Sequence, residues 1–165
     1  MSSRLDPEEA LGGPLYAVAA LLIATPLVDL VLSVPPAELS NVQWRFAAVG
    51  LLSGYTLMPI LGLAMALVIA AFLKHHTVQR WLVAACLAFG TVLAALSTGF
   101  VLDALQLRFS VPRDGRAAFQ SASIRAIIKL ALSVLAVVYL GWRARRMIPP
   151  RSRLRPPKTV HVVSK

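Results

Sequence analysis

The chain is short of charge. Asp, Glu, Lys and Arg make up 15% of its 165 residues, where a soluble domain spends roughly a quarter on them. With 58% hydrophobic residues and a mean hydropathy of +0.72, there is too little polar surface to cover a water-soluble fold of this length. Cysteine is nearly absent. Cys86 stands alone, which excludes an internal disulfide and a Cys-based zinc site, and inside an apolar run it reads as a small buried hydrophobe. The three histidines, His75, His76 and His161, all lie outside the long apolar runs. Bis-His haem ligation within a membrane is therefore not available from this chain, and the adjacent His75 and His76 read as interfacial polar groups rather than metal ligands. No Walker loop, Rossmann glycine pattern, HExxH motif or nucleophile elbow is present. The sequence implies no cofactor and no metal, and nothing in it argues for an enzyme.

The apolar residues fall in blocks. Ala10–Val28, Phe46–Leu73 and Trp81–Leu102 carry no Asp, Glu, Lys or Arg. A helix rises about 1.5 Å per residue, so roughly 20 residues cross a hydrocarbon core about 30 Å thick. The second and third blocks meet that length, and the first does so if it runs on past Asp29. The fourth block, Ala126–Trp142, is interrupted by Lys129. Its nine Leu, Ile and Val residues favour insertion by about 4 kcal/mol in sum, against about 3 kcal/mol opposed by a central Lys. The balance favours a fourth span; the alternative is an amphipathic helix lying in the interface.

The expected fold is therefore all-α, a polytopic membrane bundle of four kinked transmembrane helices. The spans are placed at about 15–33, 44–73, 81–108 and 122–142. A short segment, 1–14, precedes them and a basic, Pro-rich tail, 143–165, follows. Trp44, Trp81, Trp142 and Tyr16 mark the membrane–water borders. Asp6 and Pro7 read as a helix start, and Gly12-Gly13-Pro14 as a break before the first span. Ser40 or Asn41 can cap the second span, and Pro26 and Pro59 should kink theirs. Pro112-Arg113-Asp114-Gly115 reads as a turn. The acidic leader and the lack of an Ala-x-Ala site argue against a cleavable signal peptide.

With four spans, one side of the membrane holds eleven basic residues (Arg4, Lys74, Arg80 and the eight after Trp142). The other side holds five: Arg45, Arg108, Arg113, Arg116 and Arg125. The positive-inside bias places both termini in the cytoplasm, with a bacterial inner membrane as the expected location.

Ionisable groups inside a membrane are where function is sought first. Three polar stripes run at helical spacing: Thr25, Asp29 and Ser33; Ala95, Gly99, Asp103 and Gln106; and Ser121, Arg125, Lys129 and Ser133. Their depths allow a cluster of Asp29, Asp103 and Lys129, with Arg125 or Arg45 nearer the rim. Such a cluster is read first as ion pairs that fix helix register. It reads second as a polar cavity for a proton, ion or small ligand, and third as a seat for a partner's helix. Gly50 and Gly54 form a GxxxG, and Gly90 with Ala94 and Ala95 with Gly99 repeat the spacing. These small residues point to close helix packing within the chain before dimerisation.

The +10 net charge belongs mostly to the tail. Without residues 143–165 the chain has nine bases against seven acids. Arg143, Arg145, Arg146, Arg151, Arg153 and Arg155 therefore read as a cytoplasmic tail on anionic lipid headgroups, or as an arm for a partner protein. Nucleic acid is the least favoured partner. The closing Thr159–Val163 run can add to a partner's sheet edge. The leading expectation is a non-catalytic accessory, scaffold or assembly subunit of a membrane complex, its partners being other membrane-protein subunits or itself. The alternative is a small oligomeric transporter or channel that uses the Asp/Lys cluster in the outer half of the bundle.

Overall fold

The computed structural model describes residues 7–34 and 38–148, and these form five α-helices with no strand among them. In chain order the helices are α1 (Pro7–Ser33), α2 (Val42–Tyr55), α3 (Leu57–Phe72), α4 (His76–Leu107) and α5 (Arg116–Arg146). A 3-10 turn at Arg113–Gly115, closed by Gly115 N donating to the Pro112 carbonyl at 3.1 Å, leads into α5. It stands where the Pro-Arg-Asp-Gly turn was expected.

α1, α4 and α5 are each long and apolar enough to cross a membrane. α2 and α3 pass the same test only as a pair, bent by 44° at Thr56. The block in which Pro59 was expected to kink its span is the one that is bent and broken, and the block interrupted by Lys129 is an unbroken helix. Pro59 explains the break. It has no N–H to give the Tyr55 carbonyl, and its ring crowds that oxygen, so α2 stops at Tyr55 and α3 starts two residues on. Asn41 caps α2, its side-chain oxygen accepting from Gln43 N at 2.9 Å and Trp44 N at 3.2 Å. α3 ends in a Schellman turn. Lys74 takes φ 54° while His75 N donates to the Ala70 carbonyl at 2.9 Å.

The expected break at Gly12-Gly13-Pro14 is absent, for α1 is continuous from Pro7 through both Pro14 and Pro26. Pro14 frees only the Ala10 carbonyl, close to the helix start. At Gly12 the α1 backbone lies against Leu73, whose Cδ1 would be 2.8 Å from an added Cβ. Docking on α3 offsets the lost hydrogen bond.

α1 packs along α3, α4 pairs with α5 as a long antiparallel hairpin, and the α2–α3 pair lies between them. Glycines set the close approaches. A Cβ on Gly62 would come within 2.8 Å of the Ala19 carbonyl, and Cβ atoms on Gly90 and Gly141 within 3.3 Å of Val138 and Cys86. One core joins Ile60, Leu63, Leu67, Val83, Cys86 and Val137; a second joins Phe100, Ala126 and Leu130. The rest of the apolar surface faces outward, including Leu32, Phe72, Trp81 and Phe109. That surface points to a membrane protein.

Candidate functional site

Near the start of α2 and the end of α4, Arg45 and Asp103 form a two-pronged ion pair. Arg45 Nη2 donates to Asp103 Oδ1 at 2.7 Å and Nε donates to Oδ2 at 3.1 Å. A third donor, Nη1, binds the Leu39 carbonyl at 2.9 Å. The carboxylate is buried while the guanidinium reaches the surface, its side chain 36% exposed. Planar, paired N–H groups suit a carboxylate in just this way. The pair borders a groove of about 400 Å³ between α2 and α4 that is also lined by Ala95, Gly99 and Gln106. The whole predicted α4 stripe therefore lies along one groove.

The remainder of the expected cluster does not join it. Asp29 is exposed and borders a different groove, about 470 Å³, between α1 and the α2–α3 break, together with Thr25, Gly54 and Tyr55. Arg125 and Lys129 are exposed on α5 and border a groove of about 410 Å³ against α2. Among the described residues the Arg45–Asp103 contact is the only ion pair. The separation has a steric cause. Phe46 stacks on Phe100 at 4.7 Å and on Phe119 at 5.1 Å. With Ala126 and Leu130 these rings fill the seam where α2, α4 and α5 meet, so Asp103 is directed to α2 and the α5 cations to the outside.

At the break in the α2–α3 pair three buried hydroxyl side chains gather, two of them bonded to each other. Thr56 Oγ1 and Ser133 Oγ share a hydrogen bond of 2.9 Å, and Ser53 Oγ donates to the Gly50 carbonyl at 2.6 Å. A further groove beside them, about 320 Å³, is lined by Gly54, Lys129 and Ser133. Sequence reasoning placed Ser133 on the polar stripe of α5 but missed Ser53 and Thr56. The available signal was the proline three residues after Thr56, since a broken helix collects hydroxyl groups that satisfy freed backbone.

No protein-family model, curated protein or solved structure matches this chain.

The packing glycines need one correction. Gly50 meets Phe100 at ordinary contact distance, 3.8 Å, but a Cβ on Gly54 or Gly99 would meet nothing within 4 Å. Those two line grooves, whereas Gly12, Gly62, Gly90 and Gly141 make the close contacts within the chain. Of the basic tail, Arg143, Arg145 and Arg146 form the last turn of α5, where cations suit the helix dipole. The Arg146 guanidinium stacks over Trp142, 3.8 Å from the ring centre. Arg151, Arg153, Arg155, His161 and the Thr159–Val163 run lie outside the described residues. At the same end of the bundle, His75 Nδ1 and Tyr16 OH are 3.5 Å apart with their rings stacked. Cys86 is buried.

Proposed function

We propose that this chain is a non-catalytic subunit of a membrane assembly, crossing the bilayer four times and meeting its partner within the membrane. In this reading the α2–α3 pair is one bent crossing, and both termini face the cytoplasm of a bacterial inner membrane. One observation carries the proposal. Asp29, Arg125 and Lys129 stand exposed on helices apolar enough to span a bilayer, with no ion-pair partner among the described residues. A charge held at that depth is costly unless another group meets it, and a contacting protein supplies such a group. The basic end of α5 suits anionic headgroups at the cytoplasmic face.

A second reading, a small oligomeric transporter, is favoured by the break at Thr56. A discontinuous helix near mid-membrane, lined by hydroxyl groups and flanked by a carboxylate and an ammonium, is the kind of place where transporters hold ions.

One preparation separates the two. The chain is isolated from its native membrane in mild detergent and then reconstituted alone into vesicles. The subunit reading expects a stoichiometric companion chain, lost in Lys129→Leu, and no proton or ion flux. Flux from the chain alone that disappears in Asp29→Asn would replace it with the transporter.

A further inference from the structure

Asp29 and Lys129 lie on one open face of the bundle, on either side of Gly54. Asp29 borders the groove on the α1 side and Lys129 the groove on the α5 side, and Gly54 walls both. Packing register puts the two charges at one level. From the contact of Ala19 with Gly62, about ten residues along α1 reach Asp29, and about ten back along the antiparallel α3 and α2 reach the Leu52–Gly54 segment. From the Thr56–Ser133 hydrogen bond, one turn back along both helices reaches Ser53 and Lys129. Between the flanks the surface is low, because nothing stands within 4 Å of a Cβ on Gly54. Around it Leu57, Met58, Leu61 and Leu132 are all exposed large hydrophobic side chains.

An acid on one flank, a base on the other, equal depth and a low centre make this face complementary to itself. A two-fold rotation about the membrane normal keeps every residue at its depth and exchanges the flanks. We propose that a second copy of this chain covers the face, as a two-fold dimer in which Asp29 of each chain pairs with Lys129 of the other. The dimer meets both charges, covers the four apolar side chains and gives the open surface at Gly54 the close approach it lacks within the chain. The inference rests on the reading that protein contacts the exposed charges, and it names that protein.

Disulfide trapping tests it in membranes, in a Cys86→Ala background. Two tagged full-length copies are co-expressed, one with Asp29→Cys and the other with Lys129→Cys. One native Asp29–Lys129 pair survives in such a dimer while the other becomes a disulfide. The expected result is a cross-linked species carrying both tags, and none when Leu102→Cys on α4 replaces either site. In vesicles, Lys129→Asp should weaken association about tenfold, and adding Asp29→Lys should restore it to within about threefold. Equal trapping through Leu102→Cys, absence of a dimer at every protein-to-lipid ratio, or association unmoved by Lys129→Asp would overturn the dimer. If no dimer forms while a different companion chain still requires Lys129, the second copy is refuted and the subunit reading stands. If neither forms, both fall.

Discussion

Asp103 is a carboxylate folded into an apolar bundle, and its stability there depends on Arg45. The guanidinium supplies two N–H groups to the two carboxylate oxygens and still reaches the surface. Removing Arg45 strands a buried charge, which costs several kcal/mol, whereas replacing both partners with apolar groups costs much less. Arg45→Met should therefore lower unfolding free energy in detergent, and Arg45→Met with Asp103→Leu should recover most of the loss. A double variant no more stable than the single would contradict this assignment. The sequence showed that Ala95, Gly99, Asp103 and Gln106 share a helix face, and all four line one groove. It did not choose the partner, because Arg45, Arg125 and Lys129 all stood at suitable depths. The choice is made by the Phe46, Phe100 and Phe119 stack, a contact among three helices that spacing along one helix does not encode.

Among the elements, prolines and glycines with the same local signal act differently according to what packs on them. Pro59 breaks its helix at Thr56, where hydroxyl groups from α2 and α5 collect. Pro14 and Pro26 leave α1 continuous, the first because α1 docks closely on α3 around Gly12. Glycine spacing marked Gly50, Gly54 and Gly99, yet the tight seam between α1 and α3 is made at Gly62, which belongs to no GxxxG. A Cβ there would press on the Ala19 carbonyl and on Ile23, and backbone yields little. Gly62→Ala should lower unfolding free energy by about 1–3 kcal/mol. Gly99→Ala, with open space around it, should leave stability unchanged or raise it by up to about 1 kcal/mol. Chemical denaturation of the two variants side by side checks the contrast, and equal losses would contradict the packing account.

For the whole molecule, the long helices α1, α4 and α5 among the described residues lie where the hydrophobic pattern put apolar blocks, including the one interrupted by Lys129. Pro59 marked the place of the kink, but its size, a 44° bend that divides the block into α2 and α3, depends on the packing around Thr56 and was not legible in spacing. Composition places the charge excess in the tail, and the proposed orientation rests on the positive-inside bias of the loops. Asp29 and Lys129 share a depth in the membrane only if the α2–α3 pair is one bent crossing rather than a loop that enters and leaves on one side. Cysteine labelling decides this most directly. In a Cys86→Ala background, Ser40→Cys before α2 and Lys74→Cys after α3 are exposed to a membrane-impermeant thiol reagent in intact cells and again after permeabilisation. A single bent crossing with both termini cytoplasmic predicts that Ser40→Cys reacts in intact cells and Lys74→Cys only after permeabilisation. Labelling of both positions from the same side would show that the pair does not cross, and the shared depth of Asp29 and Lys129 would fall with it.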